Sequence, residues 1–283
     1  MRSSKSLNSV ELPTLPCAIE VLLVTSTLHP WDQQDELYRQ SIALLVLQPT
    51  PAIRQELRVL AASFISARAS VHAVPRRVEL TEWLAGLVSI DQPDAVVVLV
   101  AAGAPLNEGL QSKLADFSSK LYDRLDLKLD LLLWVSESPS PWPVGRHASI
   151  CGDQQSALSA FEVFALLMAP QVFHCCDVCD LSTVVEPGST CRIVYAYWIA
   201  AEQRLVLASS ADARCLAECP KVIIAQANTL ALRDVKTINK AAALLLPAST
   251  WCVMIDGQQL RTGFLSDTRS GLIPVLLIAR LPR

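Results

Sequence analysis

Glycine is scarce in this sequence: nine residues in 283, where average usage of about 7% would supply roughly 20. No two of the nine are separated by a single residue, so no G-x-G exists. That absence excludes the common glycine-rich phosphate loops, in which adjacent glycines let backbone N–H groups approach phosphate. Histidine is also sparse, with four residues at 29, 72, 147 and 174. No G-x-S-x-G and no H-E-x-x-H occurs, so the usual hydrolase nucleophile and zinc-protease patterns are missing. Basic charge is lacking too. The formal net charge is −3, and Arg76-Arg77 is the sole adjacent basic pair, which gives no counterion-release drive toward nucleic acid. No apolar run reaches the ~20 residues of a membrane helix.

What is present is apolar. Hydrophobic residues make up 52% of the chain and charged residues 18%, a composition far from that of disordered segments. The nine cysteines, with no signal peptide ahead of them, read as reduced thiols in a cytoplasmic protein rather than a disulfide framework. Residues 1–16 lack a hydrophobic stretch and carry Pro13 and Pro16, and so read as a flexible tail.

From residue 17 to 154, apolar strand-like runs alternate with helical periodicity. Ile19–Thr25, Ile42–Leu47, Ala95–Ala101 and Leu129–Val135 read as buried strands. Between them, Asp32 opens a short polar helix. Thr50 followed by Pro51 is an N-cap with proline at the first helical position, and Ile53, Leu57, Leu60 and Phe64 share the face behind it. Ser70–Val74 reads as a short strand, Thr81 caps a helix through Leu87, and a further helix stacks Leu110, Leu114, Phe117 and Leu121. This alternation predicts an α/β, Rossmann-like three-layer domain on a parallel sheet.

A helix from 155 to 170 is hydrophobic nearly all round, the mark of a buried helix. Together with the segment to 187 it forms a central unit. Residues 188–283 predict an α+β domain with a mixed sheet. Its strands lie at Cys191–Ile199, Arg204–Ala208, Val222–Ala225, Thr250–Ile255 and Leu272–Leu281, with helices at Ala211–Glu218 and Leu232–Leu245.

Two clusters carry candidate chemistry. Cys176 and Cys179, with Cys215 and Cys219 downstream, have the paired spacing of a zinc site. They equally suit packed thiols, since the segment between the pairs holds two apolar strands and not a short knuckle. Asp177 and Asp180 form a carboxylate pair on one helical face, a pattern that also serves a helix N-terminus.

The context of that pair resembles the FtsZ/tubulin family of cytoskeletal GTPases. There a central buried helix leads into a synergy loop, N-x-D-F-x-D-V-x-T-V, that contacts the nucleotide of the next subunit in a filament. Here helix 155–170 leads into Cys175-Cys176-Asp177-Val178-Cys179-Asp180-Leu181-Ser182-Thr183-Val184. Asp177 and Asp180 match the acidic positions and Thr183-Val184 the trailing pair, while Cys175 replaces asparagine. The stretches 222–238, 251–255 and 274–279 are similar to the family's C-terminal domain. Asp94–Gly103 resembles the strand before its glycine-rich signature. In place of G-G-G-T-G-T-G stand Gly103-Ala104-Pro105-Leu106-Asn107-Glu108-Gly109, and after the first strand stand Ser26-Thr27-Leu28-His29-Pro30.

The resemblance therefore implies a GTPase-like fold without nucleotide, cofactor or GTPase activity. It implies a structural or regulatory partner of an intact FtsZ-like protein, of the kind that serves bacterial cell division, with Asp177 and Asp180 as a vestigial synergy loop. A scaffold or assembly factor unrelated to filaments, a cysteine-ligated zinc module and an α/β enzyme are the alternatives.

Overall fold

The computed structural model describes residues 19–28, 38–67, 74–76, 95–103, 106–124, 129–142, 147–167, 184–209, 216, 218–227, 237, 240, 250–255 and 272–282. In the first half the strands are β1 (Ile19–Leu28), β2 (Tyr38–Leu47), β3 (Val74–Arg76), β4 (Ala95–Ala102), β5 (Leu129–Val135) and β6 (Ala148–Cys151). The second half adds β7 (Thr190–Ile199), β8 (Arg204–Leu207), β9 (Lys221–Ala227), β10 (Thr250–Ile255) and β11 (Leu272–Arg280). Three described helices complete the elements: α1 (Pro51–Ala67), α2 (Glu108–Arg124) and α3 (Gln154–Leu167).

All eleven strands lie in one sheet of order β10-β9-β11-β7-β6-β5-β4-β2-β1-β3, with β8 on β7. Strands β2, β4, β5, β6 and β7 run parallel. Their sequences are apolar without alternation because helices cover both faces. On one face Leu44, Val46, Leu99, Ala101, Leu133 and Val135 pack with α1 and α3. On the other, Ala43, Leu45, Leu47, Val98, Val100 and Trp134 pack with Leu110 and Leu114 of α2. Each fully buried Leu or Val contributes about 1.5–3 kcal/mol relative to exposure. The predicted α/β layering is observed.

The first connection departs from the parallel expectation. β1 pairs antiparallel with β2 along its whole length, from Ile19↔Leu47 to Leu28↔Tyr38, and β3 pairs antiparallel with β1. The reason is chain length. Only residues 29–37 separate the two strands, whereas a parallel crossover needs roughly a dozen or more. Pro75 in β3 sits at the sheet edge, where its missing N–H costs no ladder bond. The helices expected from Asp32 and Thr81 fall outside the described residues.

Beyond β7 the sheet is mixed, as predicted: β9 and β10 are parallel, and β11 runs antiparallel to both β7 and β9. β6 was not anticipated, and it joins the two halves by pairing parallel with β5 and with β7. Strands before residue 154 and after 188 thus share one sheet. The helices expected at Ala211–Glu218 and Leu232–Leu245 lie mostly outside the described residues.

α3 is buried from Ser156 to Ala165. Its Phe161, Phe164 and Val163 pack in the same cluster as Leu44 and Leu99 on one side of β6 and Leu276 and Ile278 of β11 on the other. No helix among the described residues is long and apolar enough to cross a membrane.

Candidate functional site

In an open parallel sheet the ligand crevice lies outside the carboxyl ends of the strands, where successive connections leave on opposite faces. Here that switch falls between β2 and β4. β2 leads into α1 on one face and β4 into α2 on the other. The described residues at the crevice are therefore Gln48-Pro49-Thr50 after β2 and Gly103, Leu106 and Asn107 after β4. The end of β1 is not there. Leu28 pairs with Tyr38 at the start of β2, so Ser26–Leu28 run to the opposite edge of the sheet. The expectation that Ser26–Pro30 stand at the first phosphate loop is corrected by this antiparallel pairing. Gln48, with a left-handed φ of 52°, occupies the turn where a glycine would be unstrained.

Three helices begin at this edge, and each is capped by its own side chain. Thr50 Oγ1 accepts the Ile53 N–H at 3.2 Å, fulfilling the predicted Thr-Pro cap. Asn107 Oδ1 accepts the Leu110 N–H at 2.8 Å. Asp153 Oδ1 accepts the Ser156 N–H at 2.8 Å and the Ser156 hydroxyl at 2.9 Å. An anion bound at a helix start uses these same N–H groups.

Gln154, the first residue of α3, packs over the carboxyl ends of the paired strands β2 and β4 and is 5% exposed. Its Nε2 donates to the Leu47 carbonyl at 2.8 Å. Its amide also lies so close to Gly103 that a Cβ there would sit 2.8 Å from both Cδ and Nε2. A side chain at Gly103 would require the end of the Gln154 side chain to shift.

The family that the sequence resembles holds a guanine nucleotide on glycine-rich loops, and the described residues at this crevice offer its phosphates few free backbone donors. One backbone donor at each helix start is taken by its own cap, Gln154 packs against Leu47 and Gly103, Glu108 places a carboxylate in the first turn of α2, and Pro49 and Pro51 have no N–H to give. Sequence inspection missed Gln154. Its signal was its position, the first residue of an otherwise apolar helix that follows β6.

A larger cleft of about 870 Å³ opens beside the start of α3, lined among others by Glu137, Cys151, Asp153, Ser156, Arg192 and Tyr195. Tyr195 OH lies 3.2 Å from Ser159 Oγ. Burial raises its pKa, opposed by the hydroxyls of Ser159 and Ser156, so the phenol keeps its proton at neutral pH. The described lining contains no histidine or lysine, and Asp153 is committed to its cap. These groups can bind polar ligands, but they do not form the nucleophile–base pair of covalent catalysis.

A neighbouring recess of about 420 Å³ runs along Trp134, Trp142 and His147. Trp142 meets both Trp134 and His147 edge to face, each with ring centroids 5.4 Å apart. Trp142 Nε1 donates to the Leu114 carbonyl at 2.7 Å and Trp134 Nε1 to that of Ser138 at 3.1 Å. These contacts fix the loop after β5 to α2.

Of the residues singled out from sequence, Asp177, Asp180, Cys176, Cys179 and Cys215 lie outside the described residues. Cys219 is buried at 1% exposure. The segment holding the aspartates ends at Val184 and Val185, both fully buried. The Val184 carbonyl accepts from Cys191 Sγ at 3.6 Å. Burial pushes the Cys191 thiol up to about 12, so it packs as an inert hydrophobe. Among the described residues no group of three or more His, Cys, Asp or Glu could hold a metal ion.

No family model and no curated protein matches the chain. Among solved structures, it is similar to a tryptophan-to-tyrosine mutant of FtsZ from M. jannaschii, at 11% identity and a TM-score of 0.36, over 71% of this chain and 70% of that one. It is also similar to CetZ2 from Haloferax volcanii in a GTPγS-bound protofilament, at 11% identity and a TM-score of 0.42, over 71% and 68%. A third such structure is CetZ from Methanosaeta thermophila, at 13% identity and a TM-score of 0.33, over 72% of this chain and 58% of that one.

Proposed function

We propose that this chain is a non-catalytic FtsZ/tubulin-like protein that serves as a structural or regulatory partner in a protein assembly. Within that reading it has lost GTP binding and GTPase activity. The observation that supports the loss is Gln154, packed against Leu47 and Gly103 at the carboxyl ends of β2 and β4. The self-capped starts of α1, α2 and α3 support it, since each removes a donor that an anion would need.

Hydrolysis in such filaments is shared between subunits: one supplies the phosphate cradle and the next the acidic synergy loop. A chain without the cradle and with Asp177 and Asp180 is suited to meet the nucleotide face of an intact FtsZ-like partner from one side only. It then caps or modulates a filament without extending it. The buried anchor at Val184–Val185 supports a fixed exit for the segment that carries the two aspartates.

Mixing the purified chain with FtsZ and GTP tests the partner role. The expected result is a dose-dependent change in polymer mass or GTP turnover that is lost in the Asp177→Ala/Asp180→Ala double variant. Polymer mass and turnover unaffected by an equimolar amount of the chain would contradict it.

A further inference from the structure

Between α1 and α3 lies a further cavity of about 330 Å³, lined by Glu56, Val59 and Leu60 of α1 and by Gln155, Leu158, Ser159 and Glu162 of α3. Its volume is at the lower end of the range for small-molecule sites. The notable group is Glu162, only 3% exposed, whose Oε1 has no hydrogen-bond partner among the described residues. A buried polar atom left unsatisfied costs about 1–3 kcal/mol, and more if charged. Glu162 is the single ionisable residue between 154 and 170, in a helix where any apolar side chain would pack more cheaply. Glu56, which also lines the cavity, is exposed, and Val59 is 37% exposed. Leu60 and Leu158 are buried and give the cavity an apolar wall.

The cavity therefore presents a buried carboxyl, a second acidic side chain at the surface and an apolar wall. Anions are repelled by this arrangement. Calcium is poorly served, since it needs six to eight oxygen ligands and the lining side chains offer two carboxyl groups, one hydroxyl and one amide. A single alkylammonium would satisfy Glu162 but leave Glu56 unused. Two ammonium groups joined by a short methylene chain match both ends, with the methylenes against Leu60 and Leu158.

We propose that the cavity between α1 and α3 binds a small aliphatic diamine, one ammonium on Glu162 and the other toward Glu56. Burial pushes the Glu162 carboxyl up to about 8, so in the empty cavity it is mostly protonated at neutral pH. An ammonium held against it offers up to three N–H donors and favours the ionised form. The site is independent of the nucleotide crevice, so its test stands apart from the reading above.

The experiment is titration of the full chain with 1,4-diaminobutane at pH 7.5, followed by calorimetry and thermal shift, with n-butylamine as the one-ended comparison. Saturable binding is expected, weakened about 10-fold or more by Glu162→Gln and about 3-fold by Glu56→Gln or by replacing the diamine with n-butylamine. Glu56 is on the surface of α1, so Glu56→Gln keeps the test usable should Glu162→Gln fold poorly. Failure of the wild-type chain to show saturable binding by about 10 mM, a millimolar Kd being only about 4 kcal/mol of affinity, overturns the proposal. So does binding that Glu162→Gln leaves unchanged, or equal affinity for the diamine and n-butylamine.

Discussion

Glu162→Gln is expected to stabilise the chain by roughly 3 kcal/mol at pH 8 and by less than about 1 kcal/mol at pH 5. The sign follows from the direction of the shift. Burial raises the folded-state pKa of Glu162 from 4.5 to about 8, so between those values the folded chain holds a proton that the unfolded chain releases. Such a group destabilises folding as pH rises, by up to about 1.4 kcal/mol per unit. Its contribution is intact below pH 4.5 and is lost as pH climbs through 8. Glutamine keeps the shape and never ionises, so the gap between variant and wild type should widen across this window. Urea denaturation at pH 5, 6.5 and 8 measures it. A pH-independent difference, or a destabilised variant at pH 8, would contradict the burial of an unpaired acid.

Phe161→Ala should lower stability by about 3–5 kcal/mol, as truncation of a fully buried aromatic does when its surroundings cannot collapse. Phe161 has no exposed surface and belongs to one cluster with Leu44 and Leu99 of the first half and Leu276 and Ile278 of β11. The loss should therefore reach both halves of the sheet together. Expected in calorimetry is a single transition moved down by roughly 6–20 °C, at about 2–4 °C per kcal/mol for a chain near this size. If the strands around β11 instead melt at an unchanged temperature while the rest melts early, α3 does not couple the halves as its packing indicates.

Elements whose sequences obey one dominant force were readable in advance. Val97–Ala101 and Leu131–Val135 could only be buried strands, and the apolar belt around α3 could only be a central helix. The Thr50-Pro51 cap formed as its chemistry requires. Pairing direction was less legible, because β1 reads the same whether it runs with β2 or against it. The nine-residue spacing at 29–37 held the answer, hidden by a reading that ended β1 three residues early. β6 escaped because its four residues include Ser149 and Cys151 and owe their place to strands on either side.

The scarcity of glycine at the crevice was legible, while the packing of Gln154 there was not. Gln154 joins Leu47, 107 residues away in the chain, and no local pattern encodes that contact. Glu162 was overlooked because a lone glutamate in a helix ordinarily marks the solvent face, and only the surrounding apolar residues show that this helix has none.

The central claim is that the crevice between β2 and β4 no longer accepts a nucleotide. Thermal unfolding of the wild-type chain with increasing Mg-GTP measures this most directly. A site occupied at 100 times its Kd would add about 2.7 kcal/mol of stability, a rise of roughly 5–10 °C. The melting temperature is predicted to stay unchanged up to millimolar GTP; a saturable rise with GTP would contradict the account.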